Sequence, residues 1–269
     1  MTTATSTLPT AFDTGLTRNL KLWLKEARYE YLKNLRLRTY SLSVVCFPLM
    51  FYVLFGVILG HQGGGPIRAT TYLMATYGTF GIMGASLFGT AAGLAAERGL
   101  GWLQVKRASP MPPTAYFAAK IIMSMIFSAE VVLLLMLLGF IFGGVTLSLA
   151  AALKLLGILL AGSLPFCAMG LALGYFVGPN SAPAAINLIY LPVSFCSGLW
   201  VPLMFLPKFM RQFAEILPSY HLSQLALGVV GTGTGESSLK HWEVLIGFTL
   251  ICLGIARIGY QRDEGKTYG

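Results

Sequence analysis

The chain has 269 residues, 55% apolar and only 11% charged, with a mean hydropathy of +0.71. That excludes an ordinary soluble domain, in which about a quarter of the residues are charged. The net charge of +9 raises the question of nucleic acid. The basic residues, however, crowd at the chain ends and in one interior loop, with no aromatics interleaved to stack bases, so no nucleic-acid partner is expected.

Residues 1–38 begin with a polar, Thr-rich lead and continue into a segment where Leu16, Leu20, Trp23, Leu24, Ala27, Tyr31 and Leu35 recur at three- and four-residue spacing. Arg18, Lys21, Lys25 and Lys33 lie mostly off that stripe. The pattern predicts an amphipathic helix lying flat at a membrane interface, its Trp on the apolar side and its lysines opposite. Because a basic segment precedes the first apolar run, that run is expected to remain as an anchor.

Six apolar runs near the roughly 20 residues that a hydrocarbon core requires then follow. They cover Thr39 to Leu59, Thr70 to Ala96, Ile121 to Phe142, Leu153 to Val177, Ala185 to Leu206 and Val244 to Tyr260. The second and fifth hold enough Gly and Pro to be bent or broken. The expectation is an all-α membrane protein with one membrane domain, 39–260, between the interfacial segment and a short tail, 261–269.

Six crossings place both termini on one side. Fourteen of the nineteen Lys and Arg fall on that side, against Arg68, Lys154, Lys208, Arg211 and Lys240 on the other, so both termini are expected in the cytoplasm. Two connections exceed simple turns. The first, ERGLGWLQVKRASPMPPTAYFAAK, predicts a short exposed cytoplasmic helix ended by its prolines. The second runs from Pro207 to Trp242 and carries KFMRQFAEIL and YHLSQLALGVV around Leu217-Pro218-Ser219. Both stretches are too short and too polar to cross, which predicts a hairpin dipping in from the outer side.

Candidate chemistry is sparse. Cys46, Cys167, Cys196 and Cys252 sit in apolar runs without ligand spacing, so neither metal nor disulfide is expected. GYQRDEGKT at Gly259 to Thr267 approaches a phosphate loop, but its glycine spacing is one residue too long and neither a strand before it nor a helix after it is in view. His61, His221 and His241 have no paired nucleophile, and no hydrolase or metalloprotease motif is present. Glu130, in FSAEVVLLLM, is the one acid well inside a span, where a charge costs about 2.5 to 3.5 kcal/mol. It either faces a substrate or proton route or is protonated or paired near its helix end. Phe51, Tyr52, Phe55, Phe80 and Phe88 are candidate path-lining aromatics, although such residues also face lipid or core.

The fifth run and its sequel, PVSFCSGLWVPLMFLPKFMRQFAEILPSYHL, resemble the signature region of the type-2 ABC transporter permeases through Pro192, Ser197, Gly198, Pro202, Leu206, Pro207, Leu217, Pro218 and His221. Glu97-Arg98, Gly101, Ser109-Pro110 and Lys120 similarly resemble that family's cytoplasmic loop. Two positions depart from it: Gly99 stands where a second acid is common, and Gln224 and Leu227 where a basic residue is common.

The resemblance implies an exporter subunit that pairs with a second permease copy, as a twelve-helix homodimer, and docks on two copies of an ABC ATPase subunit. ATP and Mg would be bound by that partner, with no cofactor on this chain. The residues Glu97, Arg98, Leu100, Gly101, Trp102, Leu103, Lys106 and Arg107 would form the coupling helix. In it Trp102 and Leu103 would insert into the ATPase while Arg98, Lys106 and Arg107 contact its surface. Trp23, Lys25, Arg28 and Tyr31 would belong to the interfacial helix and a lateral gate. Ser197, Gly198, Pro202, Pro207, Pro218 and His221 would form an outer gate, and the implied cargo is an amphipathic drug or a lipid. A secondary transporter working alone would call for internal repeats and midplane charges, and a membrane enzyme for a clustered polar site; the sequence displays neither.

Overall fold

The computed structural model describes residues 15–58, 69–108 and 113–264, with side chains for 22–58, 69–106, 108 and 114–263. Of the residues named above, Leu59, His61, Arg68, Ser109, Pro110 and the end of the GYQRDEGKT segment fall outside that description, as do the side chains of Leu16, Arg18, Leu20, Lys21 and Arg107. In chain order the α-helices are α1 Gly15–Arg36, α2 Arg38–Phe51, α3 Ala69–Leu87, α4 Gly93–Gly99, α5 Trp102–Ala108, α6 Pro113–Ile141, α7 Leu149–Ala161, α8 Leu164–Phe176, α9 Ala182–Cys196, α10 Lys208–Ala214, α11 Pro218–Val229 and α12 Ser238–Glu264. No strand occurs among the described residues. Wider π turns extend α2 through Tyr52–Ile58 and join α3 to α4 through Phe88–Ala92.

Among the described residues, five helical stretches are long and apolar enough to cross a membrane: Arg38–Ile58, Ala69–Gly99, Thr114–Ile141, Leu149–Phe176 and Ser238–Asp263. The expected fifth, Ala185 to Leu206, is instead the 15-residue α9. At 1.5 Å per residue it covers only about 22 Å, short of the roughly 30 Å core. It stops at Ser197 because Gly198 adopts φ +74, a left-handed conformation that a helix cannot continue through. The expected fourth span is also divided, at Gly162-Ser163. There Ser163 donates its hydroxyl to the Leu160 carbonyl at 2.6 Å, and Pro165 in the next turn has no amide to give. A β-carbon on Gly162 would meet Leu222 at 2.1 Å, so α11 packs into the break.

The stretch from α3 to α4 is the central post. Nearly all of α3 is buried against α2, α6, α7, α8, α9 and α11. Its small residues permit this approach, since apolar side chains gain little by leaving lipid and close packing must hold the helices together. A β-carbon on Gly81 would meet Val131 at 2.5 Å, one on Gly84 the Tyr190 hydroxyl at 2.8 Å, and one on Gly170 of α8 the Thr90 Oγ1 at 1.9 Å. α8 lies in turn against α12.

Candidate functional site

α1 packs along the first half of α6. Its buried face is not the apolar stripe expected from spacing: Ala27, Glu30 and Asn34 are buried, while Leu24 and Leu35 are exposed. Polar contacts hold this helix down and leave leucines free on its outer side.

Those contacts form one buried charge cluster. The Lys120 ammonium, near the start of α6, lies 2.8 Å from Glu30 Oε1 and 3.2 Å from Glu97 Oε2 at the end of α4. Lys33 reaches the same two carboxylates, at 2.8 Å and 2.5 Å. Tyr116 donates its hydroxyl to Glu97 at 2.5 Å, and Asn34 donates to the Glu30 carbonyl at 2.9 Å. Two carboxylates thus sit between two ammoniums with the lone pairs occupied, the arrangement in which buried charges are tolerated. Burial opposes the charge on Glu30, but Lys120 and then Lys33 more than offset it, so its carboxyl is held below the ordinary range. Burial likewise opposes the charge on Lys33, and Glu30 and Glu97 override it, raising the ammonium above its usual value.

The cluster ties α1, α4 and α6 together, and α5 is fastened to the same unit. The left-handed Gly101, at φ +74, turns the chain out of α4. Lys106 then pairs with Glu26 of α1 at 2.5 Å and sits 4.8 Å above the Tyr116 ring. Leu103 is buried with Leu94, Tyr116 and Tyr175. A β-carbon on Gly99 would meet Pro179 at 2.6 Å, so the acid common at that position in the resembling loop has no room here.

These placements correct part of the expected coupling surface. Leu103 faces inward rather than outward, because it caps the apolar floor beneath α5. Arg98 is engaged within the chain: it pairs with Asp263 of α12 at 3.0 Å, donates to the Gly174 carbonyl at 2.7 Å and lies 5.5 Å above Tyr175. Lys106 is engaged with Glu26. Leu100, Trp102 and Val105 project from the tip, at 74%, 56% and 61% exposure. Lys25 and Arg28 of α1 are exposed, Trp23 is partly buried, and Tyr31 donates its hydroxyl to Glu130 of α6.

Of the six residues expected at an outer gate, Ser197 and His221 are held by residues outside that set. The Ser197 and Ser219 hydroxyls lie 2.5 Å apart and buried, joining the end of α9 to the start of α11. Pro207 caps α10, Pro218 opens α11, and Pro202 opens the single turn Leu203–Phe205 before them. His221 is buried, not turned to water: its Nε2 is 2.9 Å from the Glu215 carbonyl and its Nδ1 is 2.8 Å from Nδ1 of His241. Only a protonated Nε2 can donate to that carbonyl, so neutral His221 accepts at Nδ1 from His241. Burial lowers the His221 pKa below its usual value, against the opposing pull of the Glu215 carbonyl. Gln224 accepts from the Thr234 amide at 3.2 Å and lines a cavity of about 570 Å³ with Lys154, Glu236, His241 and Trp242.

Of the candidate path aromatics, Phe51, Phe55, Phe80 and Phe88 join one run of rings through Trp200 and Tyr190, with Phe80 stacked on Tyr190 at 4.7 Å. Tyr52 lies apart, packed on Gly139 and Met74. Sequence reasoning missed Glu26, Glu30, Asn34 and Asp263. Glu30 and Asn34 fall at helical spacing from Trp23 and Ala27, and two polar groups on the inner stripe were the available signal.

In comparison with known proteins, the sequence family described as ABC-2 type transporter matches residues 26–230, which include every member of the charge cluster. The YvfS protein of Bacillus subtilis (strain 168), which carries a transport-permease name, is 23% identical over 240 residues, covering 89% of this chain and 97% of that protein.

Proposed function

From the premise that this chain belongs to the ABC-2 type transporter family, a multi-pass membrane permease rather than an enzyme, we propose that it is the membrane-spanning subunit of an ATP-driven exporter. A separate ATPase supplies the power stroke, binding ATP and Mg, and the family implies such a partner. We place α5 against it in the cytoplasm, with both termini on that side of the plasma membrane, and a second permease copy completes the passage. The cargo is an amphipathic drug or a lipid.

The observation that carries this reading is the joining of α1, α4 and α6 by buried charge pairs, and of α5 to α1 by a partly buried one, beneath an exposed apolar tip. A rigid arm with an oily end suits a lever moved by another protein, because a docked Leu100, Trp102 and Val105 would transmit motion to α4 and α6 without bending between them. The fastened side chains Arg98 and Lys106 stiffen the arm rather than greet the partner. The test is co-purification of the tagged chain with the ATPase made from its own genome. Capture by the native chain, lost in Leu100→Ala/Trp102→Ala but kept in Lys25→Ala, supports the reading. Undiminished capture by the tip variant contradicts it.

A further inference from the structure

Ten residues separate Lys120 from Glu130 on α6, about 15 Å along the helix axis, so Glu130 lies well beyond the charge cluster and inside the apolar stretch. It is only partly buried. Ile126, Leu133, Leu134 and Leu137, at helical spacing around it, are all exposed, which puts the carboxyl on the outward apolar stripe of α6 rather than in the core. Lys120 and Lys33 are engaged with Glu30 and Glu97. The group the structure does give Glu130 is the Tyr31 hydroxyl of α1, a neutral donor to Oε1. That hydrogen bond to Glu130 lifts the phenol to about 12, which keeps it the donor. The Tyr31 ring lies 5.2 Å from Phe127, which is fully buried beneath it, so the partly exposed Tyr31 is the aromatic ring beside the carboxyl.

A carboxylate on an apolar surface, joined to a neutral, partly exposed phenol, is complementary to one kind of visitor. An ammonium on an apolar body would gain a charge-assisted hydrogen bond and cation–π contact while its chain replaces lipid on the stripe. We propose that Glu130, with Tyr31, binds the ammonium of a lipophilic amine that reaches it sideways between α1 and α6. This deepens the exporter reading and rests on it for its meaning as a cargo site, whereas the binding itself is a property of this chain. The depth favours a freely diffusing amphiphile over a lipid headgroup, whose amine stays at the interface.

The experiment uses the full chain in phosphatidylcholine nanodiscs and a dansyl-labelled long-chain primary amine, compared with its uncharged N-acetyl form. Native protein is expected to hold the amine about tenfold tighter than the amide. Glu130→Gln is expected to abolish that preference and Glu130→Asp to keep it. An equal preference in Glu130→Gln, or none in the native chain, overturns the proposal. So does loss of the preference when phosphatidylethanolamine is added, which would assign the site to a resident lipid amine. Conversion of a dimer to monomer by Glu130→Gln would likewise overturn it, assigning the face to a second copy. Because no ATPase is present, failure here leaves the capture test of the α5 tip standing, and failure of that test leaves amine binding intact.

Discussion

Lys120 and Glu30 meet at 2.8 Å with only 1% and 4% of their side chains exposed, although 90 residues separate them. A pair so completely out of solvent is worth little as a net stabiliser, yet removing Lys120 leaves two carboxylates to share the half-exposed Lys33. Lys120→Met is therefore expected to lower the stability of the purified chain by about 3–5 kcal/mol. Lys120→Met/Glu30→Gln should recover part of that loss. Thermal unfolding of the four forms in detergent measures the coupling directly.

The acid limit of the α1 attachment follows from Glu30. Its carboxyl lies below the ordinary value of 4.5, so the folded state binds fewer protons than the unfolded one as pH falls through that region. The stability it contributes is fully present above 4.5 and is lost as pH falls through the lowered value. Amide exchange in residues 26–34 should stay slow down to about that ordinary value and quicken only beneath it.

His221 gives the hairpin the opposite position on the scale. Its pKa is lowered from 6.5, so neutral imidazole is favoured in the fold and stability is complete above 6.5, falling as pH drops through it toward the lowered value. When both rings are protonated, His221 and His241 each present Nδ1–H across 2.8 Å. Exchange in residues 218–230 should rise as pH falls below 6.5, and His241→Gln should reduce that rise.

The α3–α8 seam makes a steric prediction. Gly170→Ala would set a methyl 1.9 Å from Thr90 Oγ1 and is expected to cost about 1–3 kcal/mol. Thr90→Ala removes that oxygen, so Gly170→Ala/Thr90→Ala should unfold at a higher temperature than Gly170→Ala alone.

The helices were legible because apolar runs of this length have few alternatives. The reading of 16–37, of the short helix near 100–108 and of the two hairpin stretches corresponds to α1, α5, α10 and α11. Breaks were harder. Gly and Pro warned of α9 stopping at Ser197, but the interruption at Gly162 depends on Leu222 filling it, a contact 60 residues away. The charge cluster was hidden for the same reason. Lys33 reads as a solvated lysine beside a membrane until Glu97 is brought 2.5 Å from it, and Glu97, Arg98 and Lys120 in a basic loop read as an outward surface. Only the tertiary fold turns that loop's charges inward and leaves its leucine and tryptophan outside.

The central claim, that α1 and α5 move as one body under an ATPase, is most directly tested by paired spin labels in the reconstituted complex. One pair joins Tyr29 on α1 to Leu100 at the α5 tip, both exposed, and another joins Leu100 to Phe209 on α10. The account predicts that ATP binding leaves the first distance unchanged while the second shifts. A change between Tyr29 and Leu100 with Leu100 to Phe209 fixed would contradict it.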